Sequence, residues 1–450
     1  MLDLPNHLAR IFVLRHLSDP QYIFSRYFRS DWGPYPYVGM DACLLALSRV
    51  MPLQTAAKVF GGLTVLALPA SVWWLLRRAG IADRTPVLFA ALLSYEEFFL
   101  EGFLAFQAGL ALCFFAAGVW LWYRERPGAA RWCATLAVVM ALYFMHLIAF
   151  AICGAIICIH ALASRLRWKD VVFSGLLFVP GAALFWRVKT AISANHDVYI
   201  RGWADKLRLL VDVPFHGYSM VGDRVTKWGI AACIVIAVAG NRELRIRLPW
   251  AAALAFLLLT YFLLPYAWGD TFDIDLRFVP AAFILMLLAA DCGRRARPLA
   301  AVAAALLAAK LVISAAGMRE RSQLLEGART GIERIDRNAR VLPMVHAPDE
   351  QDVLDRQYIH YADYAMPRRG AFVPYLFDIP GQMPLRCDPC LPAPDDFWNL
   401  DYTTAPDWHE IRQEYDYVWA WDVTKFDSDL RKFAEPVYAT GLLRLYKVRR

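Results

Sequence analysis

Long apolar runs alternate with short polar loops along the chain from about residue 53 to residue 317. A helix needs about 20 apolar residues to cross a bilayer, and shorter helices are tolerated inside a bundle. This pattern predicts an all-α polytopic membrane bundle with about ten transmembrane helices. The predicted spans are residues 53–76, 86–99, 103–123, 132–145, 147–163, 171–188, 228–240, 248–265, 278–290 and 298–316.

Positive charge is concentrated in every second loop. Five loops carry three Lys or Arg residues and one acidic residue each, and they are 77–84, 124–131, 165–170, 242–247 and 291–297. Loops rich in Lys and Arg stay on the cytoplasmic side of a membrane. We therefore expect these five loops to be cytoplasmic.

The intervening loops are acidic or neutral and are expected outside. Residues 94–102 contain three glutamates and residues 269–276 contain three aspartates, with no Lys or Arg in either segment. The apolar stretch 132–163 has a basic loop at both ends, so it has to cross the membrane twice. His146 then marks an outer turn.

Two segments outside the spans complete the domain organisation. Residues 1–52 form an extracytoplasmic segment of amphipathic helices, and because translocating such a tail unaided is unfavourable, we expect a further span upstream of it. Hydropathy falls after residue 317, which predicts a small extracytoplasmic α+β domain over residues 318–450. Segments 340–346, 415–422 and 437–448 have strand patterns, and Thr440-Gly441 predicts a hairpin turn.

Composition supports a membrane protein. The chain is 58% hydrophobic and 20% charged, which is too apolar for a soluble protein of several domains. The net charge of +7 is spread over short loops instead of one patch, so nucleic-acid binding has no support. Cys387 and Cys390 lie in the outer domain, where an oxidising compartment favours a structural disulfide over a redox role.

The segment DLPNHLAR carries the first candidate site. Asp3, His7 and Arg10 are spaced to share one helix face, so a carboxylate that accepts a proton lies beside a guanidinium that can hold a phosphate. His7 can hydrogen-bond to either group. The alternative is a solvated amphipathic helix.

Further candidates lie at the predicted outer boundary. Glu97 and its neighbours can bind a sugar or acceptor, or they cap a helix and set topology. Arg277 can hold a donor phosphate, or it extends to the interface and pairs with a nearby aspartate. His146 either faces the same cavity or is a satisfied interfacial histidine. Asp270, Asp273 and Asp275 could chelate Mg²⁺ or Mn²⁺, although no EF-hand spacing is present.

Three stretches resemble the GT-C superfamily of membrane glycosyltransferases. DLPNHLARIFVLRHL resembles the acidic first-loop segment of bacterial members, YFRSDWGPYPYVGMDACLLAL the loop that follows it, and FLEGFLAFQAGLAL the start of their fourth span. The resemblance implies a polyprenyl-phosphate-linked sugar donor that enters from the bilayer of a bacterial plasma membrane. The acceptor would be a glycan, lipid or protein on the outer face, with Asp3 as the catalytic residue.

Two other functions remain open from the sequence. A transporter or flippase of lipid-linked sugars also needs many spans and outward-facing acids, but it favours repeats and charges at span centres. An outer binding module on a membrane anchor does not need ten spans. No P-loop, GxSxG, HExxH or dinucleotide-binding motif occurs in the sequence.

Overall fold

The protein is mostly helical in its computed structural model, which describes residues 1–188, 197–217, 219–239, 241–269, 271–346, 356, 358–394 and 405–450. The helices are α1 Leu4–His16, α2 Val38–Ser48, α3 Leu53–Arg78, α4 Thr85–Leu93, α5 Glu97–Glu101, α6 Leu104–Glu125, α7 Ala129–Met145, α8 Leu147–Ala163, α9 Trp168–Leu176, α10 Val179–Val188, α11 Trp203–Asp212, α12 Met220–Val238, α13 Leu248–Leu263, α14 Phe278–Ala289, α15 Ala296–Leu324, α16 Glu326–Glu333, α17 Ala365–Arg369, α18 Trp408–Glu414 and α19 Asp427–Phe433.

Four helical stretches of the described chain are long and apolar enough to cross a membrane. They are Leu53–Arg78, Leu104–Glu125, Trp168–Val188 and Gly293–Glu333. Helices lie in the other predicted spans too, but several are shorter, such as α13 and α14, and the count of ten spans is not confirmed. The apolar helices nevertheless indicate a membrane protein.

Short strands join loops that are far apart in the sequence. The strands are β1 Phe28–Ser30, β2 Val198–Tyr199, β3 Arg245–Ile246, β4 Ala267–Trp268, β5 Ala290–Asp291, β6 Val341–Val345, β7 Leu385–Cys387, β8 Tyr417–Trp421, β9 Ala434–Thr440 and β10 Leu443–Val448. Strand β3 pairs with β5 and thereby joins two basic loops, while β2 pairs with β4 beside the acidic loop. An Arg78–Glu125 ion pair of 3.3 Å joins two further basic loops. These contacts bring basic loops together and place the acidic 269–276 loop beside a different strand pair.

A four-stranded sheet forms the core of the C-terminal region. Its order is β6-β8-β10-β9, with β6 and β8 parallel and the other neighbours antiparallel. Strands β6 and β8 are buried along their whole length, which matches their continuous apolar sequences. The three strand segments and the hairpin turn at Thr440-Gly441 are confirmed, and Gly441 adopts the positive φ of 49° that this turn uses.

The N-terminal helix α1 lies between the sheet and the helical bundle. Ala9 and Val13 belong to the core that contains β6 and β8, whereas Leu8 and Ile11 pack on the opposite side against α2, α3 and α6. Strand β1 pairs with β7. Residues 1–30 are therefore attached to both parts of the molecule, and α1 is buried because both its faces are covered.

The disulfide of the C-terminal region lies next to this junction. Cys387 ends β7 and is bonded to Cys390, with their Cα atoms 5.0 Å apart. The disulfide that the sequence predicted is thus present. Phe28 of β1 pairs with Cys387, so the bridged turn lies beside the N-terminal segment.

Candidate functional site

Asp3 directly precedes α1 and is held against the end of α5. Its backbone N–H donates to the carbonyl oxygen of Glu101 at 2.8 Å, and the N–H of Leu2 donates to the carbonyl of Leu100 at 2.9 Å. Gly102 has a φ of +95°, and a Cβ there would lie only 3.0 Å from the Asp3 nitrogen. A glycine is therefore required for the two chain segments to approach this closely.

The Asp3 carboxyl is almost completely buried, at 5% exposure. Burial raises the pKa of Asp3 to about 6, although the neighbouring positive groups, His360 first among them, lower it. Oδ1 of Asp3 lies 3.7 Å from Nε2 of His360. At pH 7 this carboxylate is mostly ionised yet more basic than an exposed aspartate, which suits a general base.

Arg10 is engaged inside the protein. Its Nη2 and Nε atoms donate to Oδ1 of Asp41 at 2.8 and 3.1 Å, and both side chains are fully buried. Arg10 Nη2 also lies 3.2 Å from Nδ1 of His7. The predicted helix face with Asp3, His7 and Arg10 does exist, but it is buried instead of solvated.

His7 is held as a neutral imidazole at this site. Burial and then the charge of Arg10 place the pKa of His7 well below its usual value. Since Arg10 is paired with Asp41, it stabilises the local structure directly. A direct contact of Arg10 with a donor phosphate remains a prediction.

Arg277 is a buried cation of the site. No carboxylate of the described residues lies within hydrogen-bond distance of its guanidinium. Arg277 is 8% exposed, and its Nε atom has no hydrogen-bond partner among the described residues. The guanidinium stacks on the ring of Phe103, with 5.0 Å from Cζ to the ring centroid. Its charge lowers the pKa of Asp3, which places the two groups within electrostatic reach of each other.

The aspartates near Arg277 are paired with other cations. Arg201 contacts Asp273 at 3.1 Å and Asp275 at 3.5 Å, and Lys206 contacts Asp275 at 3.1 Å. The alternative in which Arg277 itself bridges to Asp273 or Asp275 is therefore not the arrangement found. These contacts leave the guanidinium of Arg277 open for an anionic ligand.

The same ion pairs bear on the predicted metal site. Two of its three carboxylates, Asp273 and Asp275, are already neutralised by Arg201 and Lys206. Asp270 lies outside the described residues. Within the described ranges, no group of three or more His, Cys, Asp or Glu side chains is arranged to hold a metal ion.

The three glutamates of the 94–102 segment differ in their environments. Glu96 caps α5 by accepting from the N–H of Phe98 at 3.2 Å, and it also accepts from Gln107. Glu97 lies 3.6 Å from His216. Burial, reinforced by Asp273, Glu97 and Asp3, raises the pKa of Glu101 well above its usual value. Glu96 thus has the capping role, while Glu97 remains at the edge of the site.

His146 lies at the break between α7 and α8. It caps α8 by accepting from the N–H of Ala149 at 3.4 Å, and its ring contacts Tyr37 and Phe106 with centroid distances of 4.7 and 5.2 Å. Burial, and then Arg277, lowers the pKa of His146 well below its usual value. A neutral histidine therefore faces the same buried region as Arg277.

The structure gathers the predicted residues Asp3, His7, Arg10, His146 and Arg277 around the start of α1, with Glu97 at the margin. Sequence reasoning missed Asp41, Asn6, His360, Asp363 and Lys206, and it did not pair Arg201 with the aspartates. Asp41 had a signal, because a single carboxylate within the apolar VGMDACLL stretch needs a partner. No family model matches the chain, and comparisons with curated proteins and with solved structures give no match either.

Proposed function

We propose that this protein is a GT-C-type membrane glycosyltransferase. It moves a sugar from a polyprenyl-phosphate donor to a hydroxyl of a glycan, lipid or protein acceptor on the outer face of a bacterial plasma membrane. The observation that carries the proposal is the buried, partner-free Nε of Arg277 within electrostatic reach of the buried Asp3 carboxylate. An acid and a free cation in one place are the two groups that such a transfer needs.

In the proposed reaction Asp3 is the general base and Arg277 binds the leaving phosphate. Asp3 accepts the proton of the acceptor hydroxyl while the hydroxyl oxygen forms a bond to the anomeric carbon of the sugar. The bond between that carbon and the phosphate oxygen breaks, and the phosphate leaves with the electron pair. Arg277 stabilises the phosphate as its negative charge grows, and the low-dielectric surroundings make this interaction stronger than it would be in water.

The surroundings of the site support a lipid-linked donor. The aromatic side chains Phe103 and Phe106 cover Arg277, and the site begins at the ends of apolar helices instead of at their centres. In this proposal the shorter apolar helices also cross the membrane, which gives about ten spans with the acidic loops outside. The phosphate would then lie at headgroup depth, with its isoprenoid chain in the bilayer.

Replacing Arg277 tests the proposal. We expect R277Q to lower kcat/KM for sugar transfer about 10²- to 10³-fold, the range measured for single groups that stabilise developing negative charge. R277K should retain part of the activity because it keeps the charge but loses the planar fork. The measurement is transfer of radiolabelled sugar from a panel of polyprenyl-phosphate donors, in membranes that carry each variant.

The matched control is R294Q. The Arg294 side chain is 94% exposed in a basic loop, and its removal should leave transfer unchanged. Equal activity of R277Q and the wild type would exclude Arg277 as the phosphate ligand. Absence of transfer by the wild type with every donor, together with movement of the lipid-linked sugar across the membrane, would favour a flippase instead.

A further inference from the structure

The C-terminal domain places a histidine against the carboxylate of α1. His360 is 1% exposed, and its Nε2 atom lies 3.7 Å from Oδ1 of Asp3. Its Nδ1 atom lies 3.3 Å from Oδ2 of Asp363, which is also buried. The three side chains therefore form a row of acid, imidazole and acid that joins the two ends of the sequence.

Asn6 determines which nitrogen of His360 carries the proton. The Asn6 amide donates to Oδ2 of Asp363 at 2.9 Å and to the carbonyl of Tyr375 at 2.8 Å, and its oxygen accepts from the N–H of Phe377 at 2.9 Å. The Asn6 nitrogen also lies 3.4 Å from Nδ1 of His360, but its two hydrogens have these nearer oxygen partners. Because the carboxylate of Asp363 can only accept, His360 Nδ1 donates the bond between the two side chains. The Nε2 atom is then left to accept a proton from the direction of Asp3.

We propose that His360 is a positioning residue for Asp3 and takes over the proton that Asp3 removes from the acceptor, so that the outer domain completes the catalytic centre. This inference rests on the glycosyl transfer proposed above. The proton moves from the acceptor hydroxyl to the Asp3 carboxylate and then to Nε2 of His360, while the bond from the acceptor oxygen to the anomeric carbon forms and the sugar–phosphate bond breaks as described above. Asp363 stabilises the imidazolium that results, as the third group does in nucleophile–base–acid arrangements.

The charges around the pair are consistent with this direction of transfer. Asp3 is faced by His360 and by Arg10 and Arg277, and it adds to the negative charge around Glu101. His360 is faced by Asp363 and by the neutral His7, and its ring packs against Phe377 with 5.1 Å between centroids. After the proton has moved on to Nε2, Asp3 is again a carboxylate, and the imidazolium of His360 then lies between the carboxylates of Asp3 and Asp363.

The alternative is that His360 has only a structural role. In that case His360 only attaches α1 to the C-terminal domain through Asp363 and Asn6. H360N separates the two roles, because the asparagine amide can replace Nδ1 as a donor to Asp363 but cannot reach Asp3 or accept its proton. H360Q is the second variant, and it replaces the imidazole with a neutral amide nearer to Asp3.

The experiment compares kcat and the pH dependence of kcat/KM for the wild type, H360N, H360Q and the control H409N. His409 is exposed and its ring lies 2.8 Å from the side-chain amide of Gln413 in the same short helix, far from the residues of the site in sequence, so its loss should change nothing. We expect both His360 variants to lose about 10²-fold in kcat, at the lower end of the effect of a positioned proton-transfer group. The melting temperature of H360N should remain close to that of the wild type.

The pH dependence of activity separates the two roles of His360, because a purely structural role would leave its midpoint unchanged. A base works only when deprotonated, so wild-type activity should fall as pH decreases through the Asp3 pKa of about 6. The protonated form of His360 lowers the pKa of Asp3, and its neutral form is the proposed acceptor of the Asp3 proton, so removal of His360 should shift the midpoint of the pH profile. An unchanged rate and midpoint in H360N, with active wild type, would overturn the role of His360 alone, whereas an inactive wild type would overturn the proposed function as well.

Discussion

The D3N variant is expected to lose sugar transfer by about 10²- to 10⁴-fold, the contribution usually made by a positioned general base. Asparagine has the same shape as aspartate but cannot accept the proton of the acceptor hydroxyl. Because the wild-type carboxylate is desolvated, removing its charge should not weaken folding. The measurement is the initial rate of transfer from a polyprenyl-phosphate donor, with the melting temperature determined in the same preparation.

D19N is the matched control for this substitution. Asp19 follows α1 in the same segment, but its side chain is 32% exposed and pairs with His16 instead of with a group of the site. D19N should transfer sugar at the wild-type rate. If D3N also did so, Asp3 would not be the base, and a carboxylate at the margin such as Glu97 would be the next to test.

R10M should destabilise the protein by about 3–5 kcal/mol, because removal of one partner leaves the other charge buried without compensation. Arg10 and Asp41 are both fully buried, and they are joined through two nitrogen atoms of the guanidinium. The double variant R10M/D41L should recover much of this loss, because no isolated charge then remains. Denaturation of the purified protein in detergent measures the difference in the free energy of unfolding.

The exposed pair Arg78–Glu125 is the control for that comparison. Its side chains are 28% and 46% exposed, and its removal should cost no more than about 1 kcal/mol. A loss of similar size in R10M and R78M would mean that the buried pair adds no special stability. In that case Arg10 would be better placed for the phosphate contact that the sequence suggested.

The C-terminal domain changes the interpretation of the N-terminal motif. The sequence places Asp3, His7 and Arg10 on one helix face, and a helix with that spacing is found. The sequence could not reveal that this face is covered, because Asn6 and His7 contact side chains of the C-terminal region while Arg10 contacts α2. A helix that is buried on both sides has no polar face in contact with water, and the amphipathic interpretation fails for that reason.

Whether the predicted metal ligands and the predicted phosphate ligand are available depends on their ion-pair partners. The local sequence does not identify those partners. DTFDID suggests a cluster of acids, yet Asp273 and Asp275 are occupied by Arg201 and Lys206 from the segment around α11. Arg277 follows the same acids directly and is the cation left without them. Spacing alone could not decide which cation pairs with which carboxylate, because Arg201 is 72 and 74 residues away in sequence from the two aspartates that it contacts.

The sequence by itself determined the features that arise from local pattern. Apolar length placed the helices, the alternation of loop charge separated basic from acidic loops, and strand patterns with a Thr-Gly turn located the terminal hairpin. Only the tertiary structure decided the pairings of Asp3 with His360 and of Arg10 with Asp41. Hydropathy and turn preferences act over a few residues, whereas the partner of a buried charge is chosen by which distant segments pack together, and that choice is made by the whole fold.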